Sequence, residues 1–148
     1  MSRYATMADT KRWHELAPTV LCDELVTDFR SLGVPVTTIT REAWCAQTER
    51  AFAGWAATHH SITSHRIAVD GDRATIGAHV RAEHWVPSEV AAGGPARWLV
   101  VGFYDNVAER TPDGWRLASI TLHATHQEHQ SLLAAAMAPA ERGDQPDR

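Results

Sequence analysis

Arg66-Ile67-Ala68-Val69-Asp70-Gly71-Asp72-Arg73-Ala74-Thr75-Ile76-Gly77-Ala78-His79-Val80 sets two runs of β-branched and small residues about an Asp-Gly-Asp centre. An Asp-Gly pair between such runs predicts a tight hairpin turn, with residues 66–69 as one strand and 74–86 as the next. Downstream, Pro87, Gly93, Gly94 and Pro95 mark residues 86–96 as a loop. A long strand is predicted over 97–110, a turn at Thr111-Pro112-Asp113-Gly114, and a last strand over 115–125. Residues 126–138, with Leu132, Leu133 and Ala136, can close the chain as a helix. Residues 139–148 are polar and Pro-interrupted, which predicts a frayed tail.

Upstream of the hairpin the periodicity is helical. Trp44, Thr48, Phe52 and Trp55 follow spacings of four, four and three, so one aromatic face packs inward. Thr40 can cap that helix, with Glu42 in its first turn. Residues 24–29 alternate as a short strand, and 31–35 form a connection. Residues 3–17 carry Tyr4, Met7, Trp13 and Leu16 near helical spacing, and Pro18 predicts the end of that helix. Helices first and consecutive antiparallel strands after them make an α+β plan. A curved sheet folded around the early helices encloses an apolar cone with a mouth, a natural small-molecule site.

The 148 residues suit one domain, 1–138, ahead of the tail. The formal net charge of −4, with no Lys/Arg run, argues against nucleic acid or an anionic membrane as partner. No stretch approaches the roughly 18 apolar residues of a membrane-spanning helix. The N-terminus lacks the apolar core of a signal peptide. Cys22 and Cys45 make neither a disulfide framework nor a zinc motif. A cytoplasmic protein is expected.

Nine histidines are the main supply of chemistry. His59 and His60 are neighbours, so on a strand they point to opposite faces and only one can be inward. His84 shares strand parity with Ile76, Ala78, Val80 and Ala82, the apolar face, and is either a satisfied core histidine or a pocket residue. His123, His126 and His129 are spaced by three, which suits metal ligands only on a helix; His123 falls on the predicted last strand, so no metal is expected.

Several stretches together resemble the SnoaL-like branch of the nuclear transport factor 2-like superfamily. They are Tyr4-Ala5 with Asp9, Trp13 and Leu16; Thr58-His59-His60; Ile67 to Asp72; Gly102-Phe103-Tyr104-Asp105; and Asp113-Gly114-Trp115-Arg116-Leu117. The resemblance spans about residues 4–126. It implies a cone-shaped α+β barrel with a pocket, a fold that hosts lyases, binding modules and adaptors alike. Lyases of the superfamily, such as scytalone dehydratase and hexachlorocyclohexane dehydrochlorinase, pair a helix-one Asp with a His at the start of a strand. Asp9 and His60 match those positions, Tyr4 matches a dehydratase tyrosine, and His84 falls near a second dehydratase histidine. Only Met1, Ser2 and Arg3 precede Tyr4, where relatives usually carry a longer first helix, so fraying sets Tyr4's position against its role.

The resemblance thus implies a cofactor-independent dehydratase, cyclase or isomerase acting on a small apolar carbonyl compound. Histidine suits the base role because its unperturbed pKa of roughly 6.5 lies near working pH. Asp9 would orient the ring and stabilise the imidazolium. Tyr4 would polarise a carbonyl and His84 would donate to a leaving group. Trp13, Trp44, Phe52, Trp55 and Tyr104 are the candidate pocket lining. The alternative is a non-catalytic module that binds a ligand or a partner protein. Arg81, Glu83 and Trp85 make the outer sheet face amphipathic, and such faces often dimerise in the superfamily, which predicts a homodimer.

Overall fold

The computed structural model describes residues 1–137, so residues 138–148, the predicted tail among them, lie outside the described residues. Helices α1 (Ser2–Thr10) and α2 (Trp13–Val20) lead into strands β1 (Leu21–Phe29) and β2 (Val34–Thr40) and helix α3 (Arg41–Phe52). Strands β3 (Ala57–Asp70) and β4 (Arg73–Trp85), a short α4 (Ser88–Ala91), strands β5 (Arg97–Thr111) and β6 (Gly114–Glu128), and α5 (Ser131–Met137) follow. All six strands form one sheet in the order β2-β1-β6-β5-β4-β3. Its pairs are antiparallel except β1 with β6.

The predicted hairpin turn forms, but its first strand, expected over 66–69, runs from Ala57 to Asp70. Gly71 makes the turn with φ 58°, a left-handed conformation that costs glycine nothing. Register slips bend the sheet, one in β3 opposite β4 and two between β5 and β6. At one of them Asn106, fully buried, accepts the backbone N–H of Thr121 at 2.9 Å and so closes the interrupted ladder. Inward residues of β4 and β5, among them Val80, Ala82, Val100 and Tyr104, meet Met7, Ala17, Leu21 and Leu25 in a single core.

Four further expectations about elements change. The first helix is two, because Lys11 turns left-handed with φ 54° and ends α1. Pro18 lies inside α2, where it removes one backbone donor, and the helix stops two residues later. Val34–Thr40 is a strand: its β-branched residues pair with β1 at the sheet edge, where Pro35 is tolerated. Finally β6 runs on to Glu128, so His126 is a strand residue and the last helix begins only at Ser131.

Candidate active site

The decisive placement is made by α1 lying across β3. Register pairs Thr58 with His84, His60 with Ala82 and Ile62 with Val80, and these six residues share the concave face. His59, paired with Glu83, takes the outer face; its side chain is 63% exposed against 7% for His60. Asp9, in the last turn of α1, reaches down to this row. Its Oδ1 lies 2.6 Å from His60 Nδ1, and its Oδ2 accepts the backbone N–H of His60 at 2.8 Å. Thr58, which the sequence reading had not singled out although it shares the parity of His60, donates its hydroxyl to Asp9 Oδ1 at 3.1 Å.

These contacts fix the electrostatics. Partial burial alone would raise the Asp9 carboxyl, but the ring and backbone hydrogen bonds of His60, its charge and the Thr58 hydroxyl outweigh that and hold it below the usual carboxylate range. Asp9 is therefore an anion that accepts Nδ1–H of His60 and leaves Nε2 as the free lone pair of the ring. His59 Nδ1 stands 3.8 Å from the same carboxylate on the solvent side.

His84 is 4% exposed and packed among aromatic rings: Trp98 at 4.6 Å between centroids, His60 at 5.2 Å, Trp55 at 5.3 Å and Phe52 at 5.9 Å. Burial, aided by the His60 charge and opposed by the Trp98 backbone and Asp9, lowers its pKa to about 3. The ring is neutral at working pH, and its buried Nδ1 has no hydrogen-bond partner among the described residues. Tyr4 is buried despite its place near the chain start, held edge-to-face on Tyr104 at 5.9 Å. Burial pushes Tyr4 up to about 12, against a hydrogen bond from Tyr104, and raises Tyr104 well above the ordinary tyrosine value. Both phenols stay protonated; Tyr104 gives its O–H to Tyr4, which keeps its own as a donor.

These groups open on a cavity of about 230 Å³. Tyr4, His60 and His84 line it, as do all five expected lining residues, Trp13, Trp44, Phe52, Trp55 and Tyr104. Asp9 does not; it stands behind His60. Trp98, which donates Nε1–H to Gln127 Oε1 at 3.1 Å, completes the aromatic wall, and Val100, Leu122 and Leu133 add aliphatic surface to the lining. Among the described residues, no Asp, Glu, Lys or Arg side chain is in the lining. His123 stacks on Phe103 at 4.9 Å outside the cavity, and no group of three or more potential ligands among the described residues is placed to hold a metal.

A six-stranded sheet wrapped on N-terminal helices around an apolar cavity defines the cone of the nuclear transport factor 2-like folds. Within that class, the SnoaL-like domain profile matches residues 1–121, and the chain belongs to that family. It is similar to Kfla4162 from Kribbella flavida, with 51% identity over 90% of each chain and a TM-score of 0.89. It is also similar to hexachlorocyclohexane dehydrochlorinase LinA-type3 from Novosphingobium barchaimii LL02, at 16% identity over 86% of this chain and 82% of that one, TM-score 0.70. A candidate scytalone dehydratase from Novosphingobium aromaticivorans DSM 12444 shares 18% identity over 84% of this chain and 78% of its own, TM-score 0.69. The latter two likenesses are of fold. No curated protein sequence matches significantly. No described helix is long and apolar enough to cross a membrane.

Proposed function

We propose that this protein is a cofactor-independent lyase or isomerase that removes a proton from the carbon beside a carbonyl in a small, uncharged, largely apolar metabolite. The observation that carries this is the Asp9–His60 pair, 2.6 Å apart, backing onto an aromatic cavity whose described lining holds no Asp, Glu, Lys or Arg. His60 Nε2 takes the C–H proton, and the imidazolium so formed is stabilised by Asp9. Tyr4, whose own O–H is not spent on Tyr104, donates to the carbonyl oxygen as the electron pair moves onto it. In an elimination the carbonyl re-forms, the double bond closes and the β-substituent leaves with its pair. His60 returns the proton to a leaving hydroxyl, so water departs, or the group leaves as a halide. In an isomerisation the proton returns to a different carbon; in a cyclisation the enolate attacks a second carbonyl. His84, held neutral, supplies an N–H or a lone pair rather than acting as the acid. Two structural neighbours carry names that denote losses of HCl and of water. Homodimerisation through the outer sheet face belongs to the same proposal.

The test needs no knowledge of the natural substrate. Small aromatic ketones are incubated with the protein in D₂O and exchange at the carbon beside the carbonyl is followed by NMR. Catalysed exchange that disappears in His60→Ala supports the base role. Saturable binding with no exchange above the uncatalysed rate supports the binding module instead.

A further inference from the structure

The cavity holds a second polar station, on α3, that proton abstraction does not use. Thr48 shares the inward face of that helix with Trp44 and Phe52, four residues away on either side, and Gln47 lies next to it; both line the cavity. Threonines in a helix commonly donate their hydroxyl back to a carbonyl one turn earlier. Thr6, Thr10 and Thr19 do so here, whereas Thr48 makes no such bond among the described residues. Thr27, on β1, also lines the cavity but is spent on the Thr37 carbonyl at 3.5 Å. The half-buried Thr48 hydroxyl and the solvent-exposed Gln47 amide are thus hydrogen-bonding groups bordering a space lined mostly by apolar side chains.

Their position sets what they can reach. Phe52 stacks on His60 at 6.4 Å between centroids. Thr48 stands one helical turn, about 5.4 Å, from Phe52 along α3. A molecule with its reacting carbon at His60 therefore meets Thr48 with its far end, a ring or two away. With no charged side chain among the described lining residues, an uncharged end fits best: a carboxylate or phosphate would be desolvated with none of them to offset the cost.

We propose that Thr48 and Gln47 select the substrate by hydrogen-bonding an uncharged oxygen substituent, hydroxyl or carbonyl, at the end remote from the carbon that His60 deprotonates. This rests on the proton-abstraction reading for the orientation of the ligand. A site built to hydrogen-bond an oxygen discriminates against the analogue lacking it, because its own polar groups are then left unpaired when the ligand shuts out water.

The probes are 2-acetylnaphthalene and 2-acetyl-6-hydroxynaphthalene, which differ only in a hydroxyl remote from the carbonyl. Their affinities for the full chain are measured by titration calorimetry. The hydroxylated ketone is expected to bind several-fold to about tenfold more tightly. In Thr48→Val/Gln47→Leu the ratio should fall to about one, and in Thr48→Ser, which retains a hydroxyl, it should persist. Equal affinities in the unaltered protein, or a preference that survives in the double variant, would overturn the proposal. Deuterium exchange at the acetyl methyl is followed in parallel. A hydroxyl preference that vanishes in the double variant, seen without catalysed exchange, would uphold the oxygen recognition while removing the base role of His60.

Discussion

Asp9 grips His60 twice: one carboxylate oxygen stands 2.6 Å from ring Nδ1 and the other accepts the backbone N–H of the same residue at 2.8 Å. The second bond ties the carboxylate to the strand itself, so ring and carboxylate hold their relative position even if α1 shifts. Thr58 adds a third contact from two residues earlier on the same face. The arrangement fixes both the tautomer of the ring and its direction into the cavity.

Asp9→Asn should keep the fold yet leave the ring without its anion and free to take the wrong tautomer. The exchange rate should fall on the order of hundreds-fold, by analogy with removal of a triad carboxylate. His60→Ala should do comparable damage, and the double variant should be little worse than either, since the two residues act as a unit. His59→Ala, whose ring is outside the cavity, should retain most of the rate. Additive losses from Asp9 and His60 would mean two independent pocket residues rather than a pair.

The outer sheet face predicts a homodimer. Arg81, Glu83, Arg97 and Glu128 form a chain of ion pairs across three strands, from 2.8 to 3.0 Å. Beside it Phe103 is 38% exposed, between His79 and His123 on the flanking strands. Alternating charge with an exposed ring suits an isologous contact, in which one patch meets its own copy. Light scattering at micromolar concentration should give about twice the chain mass, and Phe103→Glu should lower it. A mass of 16.3 kDa for the unaltered chain would end the prediction.

Much of this was legible because local chemistry and tertiary placement agree. Asp70-Gly71-Asp72 and Thr111-Pro112-Asp113-Gly114 are turn residues at turns, and Thr40 caps α3 by accepting the Ala43 N–H. What was missed has physical causes. Residues Val34 to Thr40 show no alternation because the strand is an edge, exposed along almost all its length. Lys11 adopts a left-handed turn with nothing in its side chain to announce it. The strand pattern over 97–110 was legible but could not say that Trp98 and Val100 border a void rather than filling it. Whether His59 or His60 faces inward depended on strand phase, which the pairing with β4 decides.

Gly54 is a packing requirement. A Cβ there would collide with the backbone carbonyl of Ala136, so α5 rests directly on the end of α3. Ala136 is buried, and Leu133 on the same helix lines the cavity. Gly54→Ala must push α5 outward, since a backbone carbonyl cannot rotate away as a side chain can. The expected cost is about 1–3 kcal/mol, the usual range for overpacking. That corresponds to a fall of several degrees in Tm by thermal unfolding. An unchanged Tm would show that α5 does not depend on this contact.

His84 should make the protein sensitive to mild acid. Its folded pKa of about 3 lies below the roughly 6.5 of an unfolded histidine. Between those values the unfolded chain binds a proton that the native state refuses. Stability is therefore full above the unfolded pKa and declines as pH falls through the window, by at most about 1.4 kcal/mol per pH unit. Asp9 adds its loss only further down: its carboxyl is held below the ordinary value, so its contribution is full above the unfolded carboxylate pKa and is lost as pH falls from there through the lowered folded one. Chemical denaturation between pH 4.5 and 6.5 isolates His84. His84→Phe keeps a ring among Phe52, Trp55 and Trp98 but cannot titrate, so its stability should vary less with pH than that of the unaltered protein, whatever its absolute value. The difference in slope should approach one proton's worth near the acid end. Parallel curves would mean that native His84 takes up a proton as readily as the unfolded chain does. The ring beside His60 would then be available as the acid for the leaving group, and the division of labour proposed for the two histidines would have to be redrawn.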